Sequence, residues 1–269
     1  MTQLLGARDL ARRMADGPVR VVDCRSRAEY DAGHIPGAVH LGVGSWPYYA
    51  TTPEGLDRFA GDLRGHLRDI GAGPGRPVVC YESTAGYYAA FAVWCLRYAG
   101  VADAALLDGG LIGWARESLP VTAAAPGPVA EGSAGFGAAV DPGRLATAEE
   151  VAGRLHEPGV RVVDVRSAKE RIGVLRRSAR AGWIPGSLHI PWYEALSTHQ
   201  LEPRDVLRAF FEARGLAAGD EIITYCHGGW RAAHTLIALR HAGFDRVRVY
   251  LGSWSEWGNR ADLPVQLSP

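Results

Sequence analysis

Hydrophobic residues in this chain form short β-branched runs, and longer helical stretches separate these runs. Continuous apolar runs of about five residues are typical of strands that are covered on both faces. They predict strands at residues 19–22, 78–81, 161–165, 221–225 and 246–250. The intervening stretches predict helices at residues 56–70, 87–99, 147–155, 203–214 and 231–242. Strands that alternate with helices indicate an α/β fold with mainly parallel sheets.

The sequence also contains an internal repeat of this pattern. Four motifs of the first half recur in the same order in the second: VVDCRS as VVDVRS, HIPGAVHL as WIPGSLHI, VVCY as IITY, and LDGG as YLGS. Asp23 returns as Asp164, 141 positions later, whereas Ile35 returns as Ile184, 149 positions later, so the second copy holds eight extra residues between these points. The repeat predicts two domains, at residues 1–120 and 144–269, joined by an Ala-, Gly- and Pro-rich linker at 121–143.

Composition narrows the function classes. The 269 residues carry no net charge, so the overall charge does not favour a nucleic-acid partner. No apolar run approaches the roughly 20 residues of a membrane span. The four cysteines contain no CxxC pair, which argues against a zinc site and against a disulfide framework. We therefore expect a cytoplasmic protein in a reducing compartment, without a membrane partner.

One loop carries candidate chemistry. Cys226 follows the predicted strand 221–225 and precedes the predicted helix 231–242. A helix start favours an anion, Gly228 and Gly229 allow the backbone N–H groups to turn inward, and Arg231 adds a positive charge. These features favour the thiolate and therefore a nucleophile. The alternative, a buried structural cysteine beside a glycine turn, is less consistent with this setting.

These motifs together resemble the tandem-domain rhodaneses, the thiosulfate and 3-mercaptopyruvate sulfurtransferases. Residues 30–41 (YDAGHIPGAVHL) and 247–257 (VRVYLGSWSEW) are similar to the two signatures of that family. The resemblance implies two tandem rhodanese-like domains, each a mainly parallel sheet flanked by helices. It also implies a catalytically silent first domain, because Glu82 stands opposite Cys226 when Tyr81 is aligned with Tyr225.

The resemblance further implies a role for each site residue. Cys226 would be the catalytic nucleophile that carries a persulfide, and the persulfide and substrate would be bound by His227, Gly228, Gly229, Trp230 and Arg231. Asp164 and Arg166 would support the loop. The donor would be thiosulfate or mercaptopyruvate and the acceptor cyanide or a thiol, with no cofactor, metal or nucleic acid.

Spacing favours sulfur over phosphate. Related phosphatases place five residues between cysteine and arginine, whereas four separate Cys226 from Arg231, which makes a tighter cradle. The basic character of the loop favours thiosulfate as donor. A mercaptopyruvate enzyme and a persulfide carrier with little turnover remain as alternatives.

Several features stay open at this level. His227 is either a protonated aid to a dianion or a solvated loop residue, and Trp230 either lines the pocket mouth or packs between domains. The extra segment at 171–180 holds four arginines, Arg171, Arg176, Arg177 and Arg180, and would attract an anionic donor or a protein acceptor, or be a solvated loop. The aromatic residues at 46–49 and 192–193 are expected to be buried between the domains, with a role at the cleft as the alternative.

Overall fold

The computed structural model describes residues 3–73, 75–125 and 140–267. The chain divides into two compact units. The first contains the described residues of Met1–Trp46, Ala60–Asp141 and Leu196–Leu201, and the second those of Pro47–Phe59, Pro142–Ala195 and Glu202–Pro269. The units therefore differ from the predicted contiguous boundaries in two segments, 47–59 and 196–201. Most of the predicted linker, residues 126–139, lies outside the described residues.

The first repeat builds a five-stranded parallel sheet with strand order β1-β5-β4-β2-β3. Its strands are β1 (Leu4–Leu5), β2 (Arg20–Asp23), β3 (Val39–His40), β4 (Val78–Tyr81) and β5 (Ala104–Leu107). Its helices are α1 (Ala7–Asp16), α2 (Arg27–Ala32), α3 (Pro53–Asp69), α4 (Tyr87–Tyr98) and α5 (Gly110–Arg116).

The second repeat builds a second sheet of the same kind, with order β6-β12-β11-β7-β8. The strands of this repeat are β6 (Leu145–Ala146), β7 (Val160–Asp164), β8 (Leu188–His189), β9 (Leu196–Ser197), β10 (Gln200–Leu201), β11 (Glu221–Tyr225) and β12 (Val247–Tyr250). Its helices are α6 (Ala148–Gly153), α7 (Ala168–Arg171), α8 (Arg204–Glu212), α9 (Trp230–His241) and α10 (Ser253–Trp257). The short antiparallel pair β9–β10 lies apart from this sheet.

The predicted fold class, two tandem α/β domains with mainly parallel sheets, is confirmed. The central strands β4 and β11 are buried almost throughout, because helices cover both faces of a parallel sheet. Some helices begin at capping boxes: Thr147 caps α6 and Ser167 caps α7, each in a reciprocal bond pattern with a glutamate three residues later. Within the described residues, no helix is both long and apolar enough to cross a membrane.

Candidate active site

The candidate nucleophile lies at the carboxyl end of the central strand of the second unit. Cys226 directly follows β11, and α9 begins four residues later at Trp230. The residue is buried, with 1% of its surface exposed. Gly229 is the residue before the helix and has a φ of 92°, a left-handed conformation that favours glycine. Strand end, tight turn and helix start therefore place the thiol where a helix favours negative charge.

Arg231 is held beside Cys226 by a carboxylate that the sequence analysis did not single out. Its Nη1 and Nη2 donate to the two oxygens of Glu170 at 2.6 and 2.8 Å. Both side chains are largely buried, with 16% and 6% exposed. Burial alone would lower the pKa of Arg231, but the Glu170 carboxylate and the nearby Cys226 sulfur raise it. A fixed guanidinium is therefore available to compensate an anion on the cysteine.

The partner carboxylate is correspondingly ionised. Burial would raise the pKa of Glu170, but pairing with Arg231 and hydrogen bonds from Ser167 lower it to about 2. Glu170 also completes the capping box at the start of α7, because its Oε2 accepts from the backbone N–H and hydroxyl of Ser167. One carboxylate thus fixes the first turn of α7 and the arginine of the loop together.

The backbone of Cys226 is fixed from the C-terminal signature. Its N–H donates to Oγ of Ser253 at 3.1 Å, and that hydroxyl donates to the carbonyl of Tyr250 at 2.8 Å. Ser253 has a φ of 50°, a strained value for a residue with a side chain, and the matching position of the first repeat is Gly110 with a φ of 55°. The second repeat therefore has a serine where the first has a glycine, and the hydroxyl of this serine accepts from the cysteine amide.

An aromatic side chain from the first repeat lies on the loop. Tyr48 belongs to the second compact unit, and its ring contacts His227 edge-on at 5.0 Å and Trp230 at 5.2 Å between centroids. A Cβ at Gly228 would come within 2.1 Å of the Tyr48 ring, so a larger residue at this position would displace that ring. Burial of the aromatic residues after the two IPG motifs holds for Trp46 and Tyr49, with 6% and 4% exposed. It is wrong for Tyr48 and Tyr193, which are 43% and 48% exposed.

His227 is neither charged at neutral pH nor solvated. It is 6% exposed, and burial, together with the positive charges of Arg177 and Arg231, lowers its pKa to about 4. His227 is therefore a neutral imidazole packed against Tyr48. This fits neither of the two roles that the sequence left open, a protonated aid to a dianion and a solvated loop residue.

Asp164 and Arg166 form a buried ion pair beneath the loop. Arg166 donates from Nε and Nη2 to Asp164 at 3.0 and 2.7 Å, and its guanidinium lies 4.4 Å from the Trp254 ring centroid. The hydroxyl of Tyr225, the residue before Cys226, donates to the same aspartate at 2.9 Å. Asp23 and Arg25 repeat the pair in the first unit, where Tyr81 donates to Asp23 at 2.6 Å. The repetition is consistent with the predicted supporting role.

The four arginines of the extra segment divide into two classes. Arg171 donates to Asp164 at 3.1 Å and stacks 4.3 Å from the Trp183 ring centroid. Arg180 donates to the carbonyls of Leu263 and Trp257 at 2.8 and 2.6 Å. These two are therefore structural, in contrast to the expected anion-attracting role. Arg176 and Arg177 are exposed.

The corresponding position in the first unit is filled by a carboxylate. Glu82 Oε1 accepts from the N–H groups of Tyr88 at 2.9 Å and Ala89 at 3.3 Å, at the start of α4. Burial raises the pKa of Glu82 to about 7. An adjoining cavity of about 580 Å³ includes Cys24 and Glu82 in its lining. Glu82 thus occupies the first turn of α4 with its own side chain, which is consistent with a silent copy.

Three residues of the site were missed from sequence alone. Glu170 and Ser253 are explained locally by a capping box and a signature motif, so nothing in the sequence links them to Cys226. Tyr48 stands in the other repeat, 178 positions before Cys226. The aromatic residues after the first IPG motif were the one available signal for Tyr48.

Comparison with known proteins agrees with this architecture. The family model of the rhodanese-like domain matches residues 6–117 and 147–260. The 3-mercaptopyruvate sulfurtransferase of Escherichia coli K12 is 33% identical over 279 residues, covering 98% of each chain. The thiosulfate sulfurtransferase of Azotobacter vinelandii is 30% identical, covering 96% of this chain and 95% of the relative. The sulfur carrier protein TtuD of Thermus thermophilus is 30% identical, covering 88% and 86%.

Solved structures agree as well. The crystal structure of SseA from Escherichia coli, a 3-mercaptopyruvate sulfotransferase, superimposes with a TM-score of 0.78 at 30% identity, covering 95% of this chain and all of that one. The anaerobic ergothioneine biosynthesis enzyme of Chlorobium limicola reaches a TM-score of 0.84 at 23% identity, covering 99% of this chain and 70% of that one. At that identity the second likeness concerns the fold alone.

Proposed function

Because the chain belongs to the rhodanese-like family of sulfurtransferases, we propose that it moves a sulfane sulfur from thiosulfate to cyanide or a thiol through a persulfide on Cys226. The observation that carries the proposal is the Cys226 thiol at a helix start, beside an arginine that Glu170 fixes in place. One relative is named as a 3-mercaptopyruvate sulfurtransferase and another as a thiosulfate sulfurtransferase, and this supports sulfur transfer as the reaction class.

In the first step, the Cys226 thiolate attacks the outer sulfur of thiosulfate. A bond forms between the two sulfurs, the original sulfur–sulfur bond of thiosulfate breaks, and sulfite leaves with the electron pair. The enzyme then holds the persulfide Cys226–S–S⁻. In the second step, the acceptor attacks the terminal sulfur, and the electron pair returns to Cys226, so no external oxidant or reductant is consumed.

The surrounding residues have distinct tasks in this scheme. Arg231 compensates the negative charge of the thiolate and of the persulfide, and the first turn of α9 contributes N–H groups without intrahelical partners. Ser253 fixes the Cys226 amide, and Tyr48 and Trp230 form an aromatic surface over the glycine turn. The chemistry needs no metal or organic cofactor. All four cysteines are free thiols, which suits a reducing, cytoplasmic location.

The direct test is intact mass spectrometry after incubation with thiosulfate and, separately, with mercaptopyruvate. We expect wild type to gain about 32 Da, one sulfur atom, and Cys226→Ser to gain nothing. Cys95→Ser is the matched control, because Cys95 is equally buried in the first unit and should leave the gain unchanged. No gain with either donor, or a gain that persists in Cys226→Ser, refutes the persulfide.

A mercaptopyruvate donor is the second candidate, and the similarity to the Escherichia coli enzyme favours it. There the attack would break a carbon–sulfur bond and release pyruvate as its enolate, which then takes a proton. Thiosulfate and mercaptopyruvate are both anions, so the charge of Arg231 serves either one. Initial rates of thiocyanate formation with each donor decide between them: a higher kcat/KM for mercaptopyruvate would replace thiosulfate in the proposal.

A further inference from the structure

The extra segment of the second repeat presents an unusual surface. Ile172, Val174 and Leu175 are 57%, 72% and 45% exposed. They are three of the ten large hydrophobic residues that are exposed in the described part of the chain, and they fall within four positions. Arg176 and Arg177 follow directly and are exposed too. We call residues 172–177 the insertion tip. Apolar side chains clustered in this way mark interaction sites more often than isolated ones do.

Both ends of the insertion tip are firmly attached. Before it, Arg171 is bound to Asp164 and to the Ser187 carbonyl. After it, the Ser178 hydroxyl donates to the Trp254 carbonyl at 3.1 Å, and Arg180 donates to the carbonyls of Leu263 and Trp257. The tip is therefore a protrusion held in a defined place, so its exposed apolar residues are presented in a fixed arrangement.

That place is beside the candidate active-site loop. The insertion tip contributes Gly173, Leu175, Arg176 and Arg177 to the lining of a small cavity that also includes His227, the neighbour of Cys226. The charge of Arg177 contributes to the lowered pKa of His227. A partner bound to the tip would therefore lie next to His227, the residue that follows Cys226.

The tip is also strongly basic. No acidic residue occurs from 171 to 182, and among residues 3–73, 75–125 and 140–267 no carboxylate pairs with Arg176 or Arg177. In the described part of the chain, the one hydrogen bond that Arg176 donates goes to the nearby Ser178 carbonyl. The two guanidinium groups thus offer positive charge to a partner, next to three apolar side chains. A partner that matches this surface carries acidic and apolar residues together.

We propose that the insertion tip is a docking surface for a polypeptide sulfur acceptor whose reactive thiol is flanked by apolar and acidic residues. The inference rests on the proposed function, since it names the acceptor for the same persulfide. Contact of the apolar residues with Val174 and Leu175, and of acidic residues with Arg176 and Arg177, places the acceptor thiol near the loop. A small acceptor such as cyanide reaches the persulfide without using this surface.

The transfer step needs no further reagent. The acceptor thiolate attacks the terminal sulfur of Cys226–S–S⁻, a new sulfur–sulfur bond forms on the acceptor, and the bond to Cys226 breaks. The electron pair stays on Cys226, which leaves as the thiolate. The acceptor becomes a persulfide, and the enzyme returns to its starting state.

Three synthetic peptides serve as probes with the persulfidated full-length enzyme: Ac-Glu-Leu-Cys-Leu-Glu-NH₂, its lysine counterpart Ac-Lys-Leu-Cys-Leu-Lys-NH₂, and the acidic peptide without leucine, Ac-Glu-Gly-Cys-Gly-Glu-NH₂. Mass spectrometry follows the loss of sulfur from the enzyme and its gain by each peptide. We expect the acidic leucine peptide to react on the order of 10-fold faster than the other two, and its advantage over the lysine peptide to shrink with added salt.

Variants locate the effect. Val174→Ser should slow the acidic leucine peptide severalfold while cyanide turnover stays at the wild-type rate. Val206→Ser is the matched control, because Val206 is 52% exposed in α8 of the same unit and should change neither rate. The double variant Arg176→Gln/Arg177→Gln should remove the preference for the acidic over the lysine peptide.

The outcomes separate the two proposals. Equal rates for the three peptides, or a Val174→Ser variant that matches Val206→Ser, overturn the docking surface while cyanide turnover still supports the persulfide. A preference for both acidic peptides alike, with or without leucine, shows that only charge is sensed and also overturns it. Absence of any persulfide refutes the proposed function itself.

Discussion

Replacing Glu170 by glutamine tests how far the Cys226 loop depends on the carboxylate that binds Arg231. In the structure this side chain binds both Nη atoms of Arg231 and caps α7 through Ser167. Its pKa falls from an ordinary 4.5 to about 2, and at about 1.4 kcal/mol per tenfold change this amounts to roughly 3 kcal/mol in favour of the charged form. Glutamine keeps one hydrogen bond, so we expect a loss of about 2–3 kcal/mol in the free energy of unfolding at pH 7.

The lowered pKa of Glu170 also determines how its contribution to the free energy of unfolding depends on pH. A carboxylate that is more acidic in the folded state stabilises the fold above pH 4.5, and this stabilisation declines as the pH falls from there towards 2. The gap between wild type and Glu170→Gln should therefore be constant from pH 8 to about 5 and then narrow. Urea denaturation followed by tryptophan fluorescence measures it. Persulfide formation from thiosulfate should also slow about 10-fold or more, because Arg231 loses its fixed position.

The repeat supplies a matched control. Glu29 caps α2 through Ser26 in the same bond pattern, and within the described residues it pairs with no arginine of a catalytic loop. Glu29→Gln should change the unfolding free energy by less than about 0.5 kcal/mol, since glutamine also completes a capping box. Equal losses in the two variants would show that Glu170 acts only as a cap and would refute its proposed hold on Arg231.

Further predictions concern the Cys226 loop and the corresponding position in the first repeat, Glu82. Ser253→Gly should relieve the strain at a φ of 50° yet slow turnover, because the Cys226 amide loses its hydroxyl partner; a rate equal to wild type in the persulfide assay would contradict this. Gly228→Ala should reduce turnover by pushing on the Tyr48 ring, and the added change Tyr48→Ala should restore part of it; no rescue would exclude the steric explanation. Glu82→Gln should stabilise the protein at pH 8 but not at pH 4.5. A buried carboxyl with a pKa of about 7 lowers the free energy of unfolding as the pH rises from 4.5 through 7, whereas glutamine stays neutral. Equal denaturation midpoints of the variant and wild type at pH 8 would count against this.

The fold was largely predictable because the chain repeats its pattern. The bounds predicted for the central strands agree with β4 and β11 at both ends, and the helix predicted at 87–99 differs from α4 by one residue. Buried parallel strands leave a continuous apolar signal, and a second copy confirms each reading of the first. The short edge strands β1, β3, β6 and β8 span two residues each, too few for any periodicity.

The site was predictable only for those residues that lie close together in the sequence. Cys226 and its glycine turn follow from a strand and a helix that adjoin in sequence. Glu170 could not be found in this way, because it pairs with Arg231 across 61 positions and already has a complete local explanation as a cap. The packed state of His227 could not be predicted for a related reason, because its ring contacts Tyr48, which belongs to the other repeat.

Each compact unit includes a segment from the other repeat, and this affects how the chain folds during synthesis. Residues 47–59 belong to the first repeat in sequence but to the second compact unit in the structure. There, the Thr51 hydroxyl donates to Glu256 and accepts from the Ala148 amide. Residues 196–201, written in the second repeat, complete the first, where Leu201 donates to Asp108. During synthesis the first unit therefore lacks part of its own chain until residue 201 has emerged. A cut within 121–143 would yield two fragments, each carrying a piece that the other requires.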